Sequence, residues 1–249
     1  MVNVAQAWAE VYYKQTGVKV QVLGGGSGVG IASLIDGTCD MANASRKMKP
    51  KEREKAKAKR GQDPVEHIVG YDALAVYVHK DHPLDTITID VLAEIYGDGG
   101  KIEEWSGVAD EAAALGEIVR VSRQNSSGTY AYFREAVLGK KRDYKLGSID
   151  QSGSKDVVAL VGRTPGAIGY SGMGYATPEV KMLKISKNKD DEPVAPTVEN
   201  AKNGSYPITR PLHIYTLGEP AGAIKAYLDW ILSAEGQKVV VELGYVPVN

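Results

Sequence analysis

Apolar positions along the chain switch repeatedly between helical and strand spacing, and the switches divide it into short alternating elements. Val4, Trp8, Val11 and Tyr12 share one helical face, with Asn3 as the only capping residue before them and Gly17 as the stop. Val18, Val20 and Val22 then alternate as strand residues do. After Gly24-Gly25-Gly26-Ser27-Gly28, residues Ile31, Leu34 and Ile35 predict a short helix closed by Gly37. Residues 40–44 read as a short buried strand ending at Ser45-Arg46. The stretch 50–60 is strongly charged and helix-favouring, and a solvated helix face accounts for it better than a nucleic-acid patch. Residues 68–79 are β-branched and apolar, a strand with Gly70 and Asp72 inside it.

The same alternation continues downstream. A helix over 89–96 stops at Gly97, and a strand over 118–121 leads into Ser122-Arg123-Gln124-Asn125-Ser126-Ser127-Gly128-Thr129. Phe133, Ala136 and Val137 continue as a helix to Gly139, so a strand, polar glycine loop and helix occur twice. Ser154 is a candidate cap for a helix bearing Val157, Val158, Leu160 and Val161. Strands are expected at 167–175, 181–185 and 212–216, an exposed loop at 188–203, and closing helices at 224–232 and 236–243. Strands alternating with helices predict an α/β fold with sheets packed between helices.

Composition narrows the function classes. The 249 residues suffice for one large domain or two modest lobes. A net charge of -1 gives no global basic field, so neither a nucleic acid nor an anionic membrane is indicated as partner. No apolar run approaches the roughly 20 residues of a membrane span. Cys39 is the single cysteine, which excludes an internal disulfide and a cysteine-based metal cluster within the chain. The start has no basic segment followed by an apolar one, so no export signal is read there.

The chemistry sits in the two glycine loops. A helix start offers unpaired N–H groups and a partial positive charge, and Ser or Thr hydroxyls add donors, which together favour an anion. Ser27-Gly28 and Ser127-Gly128-Thr129 both stand at such starts, with Arg123 upstream of the second and able to fork onto two oxygens of one anion. Other motifs fail on particular residues. A dinucleotide fingerprint needs glycine where Ile31 stands, a nucleophile elbow needs glycine where Val29 stands, and no phosphate loop of the nucleotide-binding type occurs. His79 and His82 flank Asp81, but no third metal ligand is evident, and exposed turn residues are the simpler reading. No metal and no cofactor is expected.

Several stretches resemble the phosphate-binding proteins of ABC phosphate importers. They are Gln21-Val-Leu-Gly-Gly-Gly-Ser-Gly-Val-Gly-Ile31, Asp36-Gly-Thr-Cys-Asp-Met-Ala-Asn-Ala-Ser-Arg46, Gly70-Tyr-Asp-Ala-Leu-Ala75 and Ser122-Arg-Gln-Asn-Ser-Ser-Gly-Thr129. Ala167-Ile-Gly-Tyr-Ser171, Tyr206-Pro-Ile-Thr-Arg-Pro-Leu-His-Ile-Tyr215 and Gly244-Tyr-Val-Pro247 extend the likeness nearly end to end. The resemblance implies a type II periplasmic-binding-protein fold, two α/β lobes joined by two crossing strands that enclose the ligand. It implies one lobe from 1–75 with 212–249, the other from 76–211, and crossings near 73–78 and 208–212. It also implies a monomer that is no enzyme, takes inorganic phosphate, delivers it to ABC transporter permease subunits, and works in the periplasm or on the extracellular face.

The family's ligands carry over to Ser27, Asp72, Arg123, Ser127, Gly128 and Thr129, with Gly28, Ser45 and Arg46 as a second tier. Phosphate near neutral pH still carries a proton to donate, whereas sulfate does not, so a buried carboxylate at Asp72 selects between them. A structural pairing of Asp72 with Arg123 is the alternative role for both. The family begins with a strand and a Ser/Thr-rich turn ahead of the first helix, and Asn3 stands where the family has a proline. The expectation is therefore that an N-terminal strand and an export signal lie upstream of Met1. Arsenate and molybdate are the alternative oxyanions; a doubly deprotonated molybdate or tungstate gives Asp72 no proton to accept. An enzyme acting on a small phosphoester would need an acid–base partner beside Asp72, and none is evident.

Overall fold

The computed structural model describes residues 1–24 and 26–249; Gly25, in the first glycine loop, lies outside the described residues. Helix α1 (Val2–Thr16) turns Val4, Trp8 and Tyr12 inward and ends at Gly17, whose φ of 72° suits glycine and whose N–H donates to the Tyr13 carbonyl. Then come α2 (Gly26–Asp36), β1 (Ala42–Ala44) and α3 (Pro50–Arg60). Helix α3 opens on proline, and the Glu52 carboxylate accepts the Lys49 N–H at 2.8 Å; Ala56 is its one buried residue, as its charge pattern demands. Next are β2 (Pro64–His79), β3 (Thr86–Thr88) and α4 (Ile89–Tyr96), capped by the Thr88 hydroxyl, which accepts from the Val91 N–H at 3.1 Å. The chain continues through β4 (Val119–Arg123), α5 (Gly128–Phe133) with a π turn at Arg134–Leu138, β5 (Ile149–Gln151), α6 (Ser154–Gly162) and β6 (Ala167–Gly172). It closes with β7 (Val180–Met182), β8 (Lys184–Ser186), α7 (Val198–Lys202), β9 (Thr209–Leu217), α8 (Gly222–Leu232) and α9 (Ala234–Glu242).

The chain divides into two compact units: Met1–Asp72 with Arg210–Asn249, and Ala73–Thr209. The divisions fall inside β2 and at the start of β9. In the first unit β9 runs between β1 and β2, and β1 pairs with it antiparallel, Ala42 opposite Tyr215. Trp8, Tyr12, Val69, Leu212, Tyr227 and Ile231 fill one core, and Trp8 donates its indole N–H to the Gly236 carbonyl at 2.7 Å. A second cluster gathers Ile31, Leu34 and Ile35 of α2 with Ala42, Met48 and Tyr215.

In the second unit the strand order is β2–β6–β4–β5, with β7 on the other side of β2. β4 runs parallel to β5 and β6, while β2 is antiparallel to β6. Leu74, Val76 and Val78 face one core with Tyr96, Phe133 and Tyr170, and Ala75 and Tyr77 face the other with Val121, Val157 and Val161. Burial on both faces explains why the sequence over 73–78 is continuously apolar rather than alternating.

Four expectations need correction. The alternating 18–22 segment forms no strand: no neighbour ladders with it among the described residues, and Val18 is exposed. The 181–185 strand is two, because Leu183 is the break between β7, which pairs with β2, and β8, which pairs with β3. The 188–203 loop carries α7, capped by the Thr197 hydroxyl. The 167–175 strand ends at Gly172 and tightens into a single turn over Met173–Tyr175.

Candidate anion-binding loops

In the first unit, Gly26 opens α2 with φ 81°, a conformation that glycine adopts without strain. The turn brings Ser27 against the end of β1. Its Oγ accepts the Ser45 N–H at 3.0 Å and lies 3.4 Å from the Ser45 hydroxyl. Arg46 reaches the same turn, its Nη2 being 3.7 Å from where a Cβ on Gly28 would stand. Its guanidinium is also forked onto Glu52, at 2.9 Å for both Nη1–Oε2 and Nη2–Oε1. That pair raises the Arg46 pKa further and holds the Glu52 carboxyl below its ordinary range, each chiefly through their shared hydrogen bonds. Arg46 is therefore a charge already balanced by a carboxylate.

Asp72 is the last first-unit residue of β2 and is 8% exposed. Its Oδ2 accepts from Nε of Arg210 at 3.2 Å and from Nη2 at 3.0 Å. Within the first unit, Asp72 makes an ion pair with Arg210, at the start of β9. Sequence reasoning passed over Arg210, although it is the only Lys or Arg within β9. A lone cation in a half-buried strand was the available signal.

In the second unit, β4 delivers Arg123 and the loop beyond it. The guanidinium is clamped by the segment joining β5 to α6. Nε donates to the Gln151 carbonyl at 3.3 Å, Nη2 to the Ser152 carbonyl at 2.9 Å and Nη1 to the Ser154 hydroxyl at 2.9 Å. Ser154, expected as a helix cap, instead occupies the first turn of α6 and receives Arg123; Gly153 stands at the cap position. Ser127 caps α5, its Oγ accepting from the Thr129 N–H at 3.2 Å. A Cβ built on Gly128 meets nothing within 4 Å, so there is open space beside this glycine at the helix start.

Beneath the loop lies an aromatic hydrogen-bonded support. Ser122 Oγ is 2.7 Å from the Tyr170 hydroxyl, and the Tyr144 hydroxyl lies 3.0 Å from both the Tyr170 hydroxyl and the Tyr130 carbonyl. The Phe133 ring stacks on Tyr170 at 3.7 Å. Burial pushes the Tyr144 and Tyr170 phenols upward, so they stay neutral donors.

The histidines expected in an exposed turn behave differently. His82 is buried edge-on against Trp105, with ring centres 4.2 Å apart, and its Nδ1 accepts the Leu84 N–H at 3.2 Å. No group of three His, Cys, Asp or Glu residues is arranged to hold a metal among the described residues.

A family profile described as the PBP superfamily domain matches residues 1–235. The phosphate-binding protein PstS of Pseudomonas aeruginosa is 34% identical over 260 residues, spanning 100% of this chain and 80% of that protein. A possible phosphate binding protein from Planctomyces limnophilus superposes with a TM-score of 0.84 at 30% identity, covering 100% of this chain and 89% of that one. A putative phosphate ABC transporter substrate-binding protein from Clostridium perfringens, solved with bound phosphate, superposes at a TM-score of 0.67 with 29% identity, covering 100% and 96%. The chain belongs to the PBP superfamily and, within it, to the PstS phosphate-binding proteins. The two-lobed α/β fold expected from the resemblance is the fold of this superfamily.

Proposed function

We propose that this chain binds inorganic phosphate and delivers it to the permease subunits of an ABC importer, as a monomer in the periplasm or on the extracellular face. Ser27 and Asp72 of the first unit and Arg123, Ser127, Gly128 and Thr129 of the second are the proposed ligands. Gly28 and Ser45 lie beside Ser27 and belong to the supporting tier. Arg46, neutralised by Glu52, contributes position more than charge.

The observation that carries the reading is the second loop. Arg123 is held by the Gln151 and Ser152 carbonyls and the Ser154 hydroxyl, near a helix start where Gly128 has open space on its Cβ side. A guanidinium fixed in advance loses little entropy on meeting an anion. Ser and Thr hydroxyls with exposed N–H groups then supply uncharged donors. Asp72 supports phosphate over fully deprotonated oxyanions, because a buried carboxylate favours an anion that brings a proton.

Calorimetric titration of the purified chain with phosphate, sulfate, arsenate and molybdate near neutral pH tests this. Phosphate is expected to bind at least ~100-fold more tightly than sulfate, in line with the rejection shown by sites built to hydrogen-bond a ligand proton. Equal affinity for phosphate and sulfate would overturn the role of Asp72, and no phosphate binding would overturn the reading. No turnover of small phosphoesters is expected, since no acid–base partner accompanies Asp72 in its hydrogen bonds.

A further inference from the structure

The ion pair between Asp72 and Arg210 has an unusual division of labour. An arginine facing a carboxylate commonly forks across both oxygens. Here Nε and Nη2 of Arg210 both converge on Oδ2, at 3.2 and 3.0 Å. Among the described residues Oδ1 receives no hydrogen bond. One oxygen is thus occupied by the protein, and the other keeps its accepting capacity.

Sequence explains why the geometry can be held. Arg210 precedes Pro211, which restricts it to extended backbone, and β9 carries both. Asp72 comes from β2, the neighbouring strand in the sheet. The carboxylate is 8% exposed, a position where an uncompensated charge is costly.

We propose that Arg210 is the residue that sets anion selectivity, by filling Oδ2 and compensating the charge of Asp72 so that Oδ1 is presented as an acceptor for a ligand proton. The proposal rests on phosphate being the ligand. Arg210 acts through Asp72 as a positioning residue. With it in place, an anion bearing a P–OH group gains a hydrogen bond at Oδ1. A fully deprotonated anion of similar size meets a lone pair and gains none. Without it, the buried Asp72 carboxyl loses its ion-pair partner and is driven toward the neutral acid, which donates to either anion instead of accepting a proton from one. That loss of acceptor character erases the discrimination.

The test is a double-mutant cycle of Arg210→Gln and Asp72→Asn, read by calorimetry with phosphate and sulfate on the full chain. Arg210→Gln is expected to weaken phosphate binding by about 30-fold or more, the scale of breaking a buried charge pair. It is also expected to lower the phosphate-to-sulfate affinity ratio by at least about tenfold, a readout that simple loosening of the fold would not move. In the Asp72→Asn background, adding Arg210→Gln should leave that ratio unchanged within about twofold, because the residue through which it acts is gone.

The inference is overturned if Arg210→Gln keeps the unsubstituted ratio, or if it lowers the ratio equally in both backgrounds. Should Arg210→Gln show no cooperative melt, Arg210→Lys is put through the same cycle and judged by the same two criteria. Lysine keeps the charge but lacks the paired donors on Oδ2. If the unsubstituted chain fails to bind phosphate, the functional reading itself fails. If it binds phosphate selectively and the cycle shows no coupling, only the role of Arg210 fails.

Discussion

Arg123 illustrates how a single side chain is prepared for an anion by residues that need not touch one. Three acceptors come from Gln151, Ser152 and Ser154, and of these only Ser154 offers a side chain. Arg123→Ala should therefore lower phosphate affinity by about 100-fold or more, since it removes a charge-assisted donor set. Ser154→Ala should cost about tenfold at most, because the two carbonyl contacts remain. Titration of both variants against the unsubstituted chain checks the order; near-native binding by Arg123→Ala would show the site is elsewhere. His82 makes a different prediction. Burial, followed by Lys181 and His79, lowers its pKa from 6.5 to about 4. Between those values the unfolded chain binds a proton that the folded chain refuses, so stability falls as pH falls through this window. The slope is up to about 1.4 kcal/mol per pH unit. His82→Gln should flatten the slope in urea unfolding at pH 7, 6 and 5. A residual slope of the same sign is expected from His213, whose pKa burial also lowers.

At the scale of elements, the sheet of the second unit is packed by α6 through a close approach. A Cβ on Gly169 would lie 2.8 Å from Val161 Cγ2 and 3.0 Å from Val157 Cγ1, so β6 has room only for glycine there. Gly169→Ala is expected to destabilise the chain by about 1–3 kcal/mol, the usual penalty for overpacking a filled core. A shift of the urea midpoint measures it. The same packing matters to the site, since α6 begins at Ser154, which holds Arg123, and β6 pairs with β4, which delivers it. A helix pushed off the sheet moves the clamp on the guanidinium, so Gly169→Ala should also weaken phosphate binding.

For the whole molecule, the two units are each built on their own cores, and the chain passes from one into the other within β2 and at β9. Ligand that binds only the folded chain stabilises it by mass action. Phosphate at about 100 times its dissociation constant should add about 2.7 kcal/mol and raise the melting temperature, while sulfate at the same concentration should add no more than about 0.4 kcal/mol. A thermal melt with each anion tests this, and equal shifts would count against selective binding.

What the sequence determined by itself was local. Helix stops at Gly17, Gly37 and Gly97, the charged face of α3, the strand–loop–helix unit of β4 and α5 and the Arg123–Thr129 motif were all legible, because spacing, capping and glycine act over a few residues. The likeness to phosphate-binding proteins rested on such short stretches. What tertiary structure alone decided was partnership. Residues 18–22 alternate like a strand yet ladder with nothing, since a strand exists only through its neighbour. Asp72 sits on Arg210, 138 positions away, and Ser154 receives Arg123 instead of capping its helix. His82, written in a polar turn, is buried on Trp105. Each depends on which distant element packs beside it, and a one-dimensional pattern carries no record of that packing.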